Sequence, residues 1–362
     1  MKYPLARPEI TQEDIYAVTR VLKSPQLSRG PAVAAFEKEM CAITQCHYAS
    51  AVSSGTAGLI LALQALDVQA GDEVITISFT VPATVNSIVA IGAQPVMVDI
   101  ETKSLGMCPD ALQQAINSKT KAIIVVHAFG KAAQIETIFE IAKQHQIRVI
   151  EDACEAIGNR LNNKPLGSFA DIGVFAFYPN KQITTGEGGM LVTDDENLAK
   201  KFDLLRNHGR SMNGDLYDQI SFGWNYRLSD INAALGLSQL QRLSTIIKKR
   251  QQLATLYTEL LNPFETIIHP QFNTNEDSAW FVYVIQLEDA DGIQAKLHSQ
   301  GIQCGRYFAP VHLQPYYRQK FPHLQLKHTE QVAQQTLALP FYHDLNRQDI
   351  TFICDCLVKS SH

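Results

Sequence analysis

The sequence has no C-x-x-C pair, no H-x-x-x-H pair, no long apolar run and no surplus of positive charge. Each absence excludes a class of protein. Seven cysteines, Cys41, Cys46, Cys108, Cys154, Cys304, Cys354 and Cys356, form an odd set without the spacing of a zinc ribbon or a disulfide framework, so a reducing cytoplasm is expected. The eleven histidines include no helical zinc pair, and His323 and His328 lie in a polar stretch that suits solvated side chains, so no metal site is predicted. Lys+Arg 31 against Asp+Glu 36 gives a formal net charge of -5, which lacks the basic field that nucleic acids require. Any anionic ligand must then be held by local groups. The opening MKYPLARPEI has no apolar core of a secretory signal, and no window approaches the roughly 18 apolar residues of a membrane span, so no membrane partner is expected. Internal repeats and low-complexity segments are also missing.

What is present is a large apolar fraction, 46% of 362 residues, arranged in short runs. Runs rich in Val and Ile recur at 72–79, 94–100, 121–129, 147–153, 171–177 and 188–195, and helical patterns such as SSGTAGLILALQAL and IETIFEIAKQH separate most of them. This alternation predicts an α/β fold with a mostly parallel sheet covered by helices on both faces. From about Ser229 the pattern changes to long helical runs that end before Pro263, followed by the strand-like WFVYVIQL and a helix-strand alternation. The length suggests two domains, placed at 1–242 and 243–362, with the boundary near Arg242 inside the helical stretch and an N-terminal arm on the first.

Open α/β sheets bind ligands beyond the carboxyl ends of their strands, and three polar features fall at such ends. The first is SSGTAGLILAL, where Ser54, Gly55 and Thr56 open a helix. Free N–H groups, a glycine and two hydroxyls make a phosphate cup there, although the same residues also suit an ordinary capped helix start. The segment is not G-x-G-x-x-G, which argues against a nicotinamide oxidoreductase. The second is Asp152, ending the apolar strand of RVIEDACEAIG, as the partner of a buried cation or as the cap of a following helix. The third is Lys181 in GVFAFYPNKQITTGEGGMLVTDD, framed by Pro179 and by Gly186, Gly188 and Gly189, or else a solvated lysine beside a plain hairpin. An anion, an amine and a phosphate cup at one sheet edge suit pyridoxal 5′-phosphate (PLP): Lys181 would condense with its aldehyde and Asp152 would face its ring nitrogen. At about 4 Å and an effective dielectric near 20, such an ion pair is worth roughly 4 kcal/mol, or about 3 pKa units, enough to keep the ring protonated.

With these residues in view, FAFYPNKQITTGEGGMLVTDD, VIEDACEAIG, SSGTAGLILAL and GWNYRLSDINAALGLSQL together resemble the DegT/DnrJ/EryC1/StrS family of sugar aminotransferases. The likeness runs from PLARPEITQEDI through RYFAPVHLQPYY. It implies the type I fold of PLP-dependent transferases (aspartate aminotransferase-like), with a large domain and a smaller C-terminal α+β domain. It implies transfer of an amino group from L-glutamate to a keto sugar on a nucleotide diphosphate by a homodimer with shared active sites. By position, Lys181 resembles the cofactor-binding lysine, Asp152 the partner of the ring nitrogen, and Ser54, Gly55 and Thr56 the phosphate cup. Asn225 resembles an asparagine that reaches the phosphate across the dimer interface, and Arg227 lies near the nucleotide-sugar. Tyr178, Glu187, Tyr307 and His312 resemble positions near the substrate.

Three positions depart from the family pattern. Ala176 stands where many members have a phosphate-binding serine, and Val81 where relatives place an aromatic that stacks on the ring. Glu155 stands where Gln or His is common, on the cofactor's phenolic side, and is shared with members resembling perosamine synthases. The FYPNKQITTGEGG stretch looks most like C4-aminating members, which implies a 4-keto-6-deoxy sugar and a role in surface polysaccharide or glycan synthesis. Amination of a 3-keto sugar or a cyclitol is the neighbouring possibility, and a catalytically silent PLP-binding sensor a remoter one. A sugar dehydratase is disfavoured because those relatives carry histidine at the lysine position.

Overall fold

A computed structural model describes residues 1–211 and 218–361. Its centre is a seven-stranded sheet built from β1 (Tyr48–Val52), β2 (Glu73–Ile77), β3 (Gln94–Val98), β4 (Thr120–Val126), β5 (Arg148–Asp152), β6 (Ile172–Ala176) and β7 (Gly189–Thr193). The strand order is β1-β7-β6-β5-β4-β2-β3. Only β7 runs against its neighbours, pairing antiparallel with both β1 and β6, while the other pairings are parallel. The apolar runs read from the sequence become strands because both faces of the sheet are covered, so alternation is unnecessary. The edge strand β1 was absent from those runs: YASAV is small and mixed, and pairing with β7 makes it a strand.

Helix Gly55–Ala65 is apolar on all sides and buried almost throughout, as a helix inside a core must be. Gly58 lets it lie close on β6, since an added Cβ would sit 2.8 Å from Val174 Cγ1. The helical stretch from Ser229 is two helices, Asp230–Leu240 and Leu243–Leu261, and not one connecting rod. They separate at Arg242, whose guanidinium pairs with Glu9 at 2.6 Å and Asp14 at 2.9 Å. Beyond them a two-stranded antiparallel sheet, Tyr283–Gln286 with Thr336–Leu339, carries a second core that includes Tyr257, Tyr283, Leu297, Leu339 and Ile353. The N-terminal arm runs beside this part: Tyr3 belongs to the second core and bridges Ile302. Among the described residues no helix is long and apolar enough to cross a membrane.

The carboxyl ends of β2, β4, β5 and β6 all open on one edge of the sheet, because these strands are mutually parallel. The candidate site lies there.

Candidate active site

Asp152 is the last residue of β5 and is buried. Its Oδ2 accepts a hydrogen bond from the Thr84 hydroxyl at 2.8 Å, and its Oδ1 accepts from the Cys154 N–H at 3.3 Å. No helix follows it; residues 153–159 form turns, so Asp152 is not a helix cap. Thr84 in turn lies 3.0 Å from the Thr80 hydroxyl, so a small polar network enters the site from the loop and helix after β2. These two bonds fix the orientation of the buried carboxyl group.

Lys181 sits in the turn after β6, where its N–H closes a turn onto the Tyr178 carbonyl at 2.9 Å. Its side chain is only 10% exposed, which rules out a solvated lysine. The ammonium lies 3.2 Å from Glu155 Oε1 and 4.2 Å from the centre of the Phe281 ring, on whose face a cation is favourably placed. Glu155 is held at three points: Oε1 by Lys181, Oε2 by the Phe129 N–H at 2.8 Å, and its peptide carbonyl by Gln182 Nε2 at 2.8 Å. Burial pushes the Glu155 carboxyl above its ordinary value, and the Lys181 ammonium and the Phe129 N–H oppose that rise only in part. Asp152 and Lys181 both act electrostatically on Glu155, so acid and amine share one region of the sheet edge.

The helix start completes the arrangement. Ser54 caps helix Gly55–Ala65 by accepting from the Ala57 N–H at 3.1 Å, and Thr56 is partly exposed beside it. A Cβ added to Gly55 would lie 2.8 Å from Ala176 Cβ and 3.0 Å from Cys154 Sγ. Only glycine lets the first turn, with its unpaired N–H groups, come this close to the end of β6. Gly189 gives the same freedom from below, because a Cβ there would meet the Ser54 carbonyl oxygen at 2.5 Å. Ala176 is partly exposed, and Val81 is 39% exposed at the start of helix Pro82–Ala90.

The remaining positions fall in two groups. Tyr307 is near the lysine turn, and burial raises its phenol against the opposing effect of the neighbouring Asn180 side chain. His312 is buried, with Nδ1 2.7 Å from the Ser78 hydroxyl and Nε2 3.2 Å from Glu330, so both ring nitrogens are engaged. It fastens the C-terminal segment to the end of β2. Tyr178, Glu187 and Asn225 are exposed, and Arg227 is half-buried and donates to Asn207 Oδ1 at 3.0 Å. Burial, then Arg29 and Arg210, lower the Arg227 guanidinium below its ordinary value, which marks a cluster of positive charge. Arg29, Arg206 and Arg227 line a cavity of about 440 Å³ with Glu37 and Asp203.

Thr84, Gln182, Asn180 and Phe281 were not singled out from the sequence. Thr84 lies 68 residues before its partner Asp152, and Phe281 is hidden in a strand-like run, so neither has a local signal. Lysine and acid at neighbouring strand ends, and a helix start opened by Gly55, fit pyridoxal 5′-phosphate. The protein atoms also leave Asn180 Oδ1, beside the lysine, buried without a donor.

The family model for the DegT/DnrJ/EryC1/StrS aminotransferase family matches residues 8–358. The chain belongs to that family. PseC of Helicobacter pylori, an aminotransferase of pseudoaminic acid biosynthesis, is 30% identical with a TM-score of 0.94, covering 100% of this chain and 99% of that one. DesV of S. venezuelae is 31% identical, TM-score 0.92, over 97% and 94% of the two chains. The PLP form of the sugar aminotransferase Spr1654 of Streptococcus pneumoniae is 27% identical, TM-score 0.94, over 100% and 99%. The mostly parallel sheet with one reversed strand is thus the type I fold, and the protein is a PLP-dependent sugar aminotransferase.

Proposed function

We propose that this aminotransferase moves the amino group of L-glutamate to C4 of a nucleotide-linked 4-keto-6-deoxy sugar destined for surface polysaccharide or glycan. The observation that carries the reading is the buried Lys181–Glu155 pair beside Asp152 at the end of β5, with the helix start of Gly55 alongside. The C4 assignment is supported by the likeness of FYPNKQITTGEGG to C4-aminating members.

In this reading Lys181 binds the cofactor and then, released by the amino acid, moves a proton at the α-carbon of glutamate and later at the sugar carbon. PLP supplies the electron sink that lets a C–H bond next to nitrogen ionise. Asp152, oriented by Thr84, holds a proton on the ring nitrogen. Ser54, Gly55 and Thr56 hold the phosphate, and Glu155 faces the phenolic side. Tyr307 and Phe281 close the site from the C-terminal part of the chain, which we read as a separate unit from 243 onward. Tyr178 and Glu187, both exposed, are read as lying at the mouth, and His312 as keeping the C-terminal segment in register.

Asn225 and Arg227 are read as reaching the partner's site in a homodimer, with the charge of Arg29, Arg210 and Arg227 suited to a diphosphate. The seven unpaired cysteines suit a reducing cytoplasm. The test is turnover of UDP-, dTDP- and GDP-linked 4-keto-6-deoxy sugars with glutamate, against the 3-keto isomers and a keto-cyclitol. Turnover of a 4-keto-6-deoxy substrate above the others supports the assignment; preference for a 3-keto sugar or cyclitol overturns it.

A further inference from the structure

We propose that Glu155 is the proton acceptor that turns Lys181 into a nucleophile, passing the proton within the buried pair and not to solvent. The proposal rests on the reading of Lys181 as the cofactor-binding lysine. The geometry is direct: Oε1 is 3.2 Å from Nζ, and the two side chains are 9% and 10% exposed. The other carboxylate oxygen is pinned by the Phe129 N–H, so the acid cannot swing away from the amine.

The other titratable groups around the pair are poorly placed to compete. Asp152 has one oxygen on the Thr84 hydroxyl and the other on the Cys154 N–H. The Cys154 thiol is pushed well above its ordinary value, by burial first and then by Asp152. The Tyr307 phenol is likewise raised by burial. Burial also favours the neutral form of Glu155, which is the form it must take after accepting a proton.

The Lys181 ammonium gives one proton to Oε1, leaving a neutral amine and a neutral carboxylic acid. The nitrogen lone pair attacks the aldehyde carbon of PLP; a C–N double bond forms, and the carbonyl oxygen leaves as water with the two protons that remained on nitrogen. No oxidant or reductant is needed. Because the transfer is internal, the reactive pair is the same net protonation state as the resting ion pair, so its population does not change with pH between the two titrations of the pair.

That invariance provides the test. Cofactor-free protein is mixed rapidly with PLP, and the rate of covalent capture is followed by absorbance from pH 6 to 9, with borohydride trapping and peptide mass mapping to confirm Lys181 as the site. The wild-type rate is expected to be flatter across this range than that of a chain without the Glu155 carboxylate. E155Q, whose amide cannot accept the proton, is expected to be at least about 100-fold slower at pH 7, the lower end of the usual span for a positioned acid or base. It should recover with a slope near ten-fold per pH unit as hydroxide replaces the missing acceptor, and E155D should keep the flatter profile at a reduced rate. A wild-type rate that itself climbs ten-fold per unit, or an E155Q variant matching wild type in rate and profile, overturns the proposal while leaving Lys181 as the attachment site. The wild-type profile decides the matter without any variant should E155Q fail to fold. Absence of capture at Lys181 in the wild type would overturn the functional reading, and this proposal with it.

Discussion

Lys181 Nζ lies 3.2 Å from Glu155 Oε1, with both side chains about nine-tenths buried. The contact explains why a long cation is framed by Pro179 and three nearby glycines: the turn delivers the ammonium into the protein, where a carboxylate meets it. Breaking one member of such a pair leaves the other buried and unpaired, at a cost of up to about 3–5 kcal/mol. K181A is therefore expected to lose turnover by at least about 1,000-fold and to melt lower in the cofactor-free form. K181R should lose turnover equally but melt closer to wild type, because the guanidinium can still pair with Glu155. Steady-state assays and thermal melts of the three proteins check this.

Asp152 depends on a donor far away in sequence. The Thr84 hydroxyl bonds Oδ2 at 2.8 Å, and a hydrogen bond to a charged group is worth about 1.5–3 kcal/mol. T84V, which keeps the side-chain shape, is expected to lower kcat/KM about ten-fold. D152N removes the charge itself and should lower it by at least about 100-fold. Equal effects of the two would show that Thr84 acts on something other than the carboxylate.

The proposed phosphate cup depends on the close approach at Gly55. With an added Cβ 2.8 Å from Ala176 Cβ, G55A is expected to weaken PLP binding by at least about ten-fold, one lost hydrogen bond to a charged oxygen being enough for that change. A176S adds a hydroxyl at the end of β6, next to Gly55, and should tighten binding by a similar factor if the proposed cup lies there. Titration of cofactor-free protein with PLP measures both.

Asp99 gives a pH-dependent check on the packing around helix Lys327–Gln335. The helix has no side-chain cap of its own; Asp99 accepts from the His328 and Thr329 N–H groups at 2.9 and 2.8 Å, and from the Thr329 hydroxyl. Burial alone would raise the Asp99 carboxyl, but these bonds and that from Ile100 outweigh it and hold the group below its ordinary 3.8. A carboxyl lowered by folding stabilises the native state above its unfolded pKa, and that contribution is lost as pH falls through the folded value. D99A should cost about 1 kcal/mol at neutral pH. The gap should be constant above about pH 5 and narrow below about pH 4. Denaturant melts across this range would show a pH-independent gap if the cap were not ionic.

Much of the fold was legible because its strands are buried on both faces and therefore read as unbroken Val- and Ile-rich runs. Two features were not. Strand Tyr48–Val52 has little β-branched content and exists through its pairing with β7. The sequence reading puts a domain boundary near Arg242 but not a break between two helices, which no glycine or proline announces; the corner is held by pairs to Glu9 and Asp14, more than two hundred residues earlier. In the site, Lys181 and Asp152 stood out because a charge at the end of a buried strand demands a partner. Glu155 also stood out, in the same stretch as Asp152, though not as the partner of Lys181; Thr84 for Asp152 and Phe281 for Lys181 come from distant segments. His312 was visible as a residue type, but only packing shows its ring engaged on both sides, by Ser78 and Glu330.

The measurement that bears most directly on the account is borohydride reduction of the cofactor-loaded protein followed by peptide mass mapping. A phosphopyridoxyl group is expected on Lys181 and none on the K181A chain; attachment at another lysine, or an unmodified Lys181 peptide, would contradict the role assigned to Lys181.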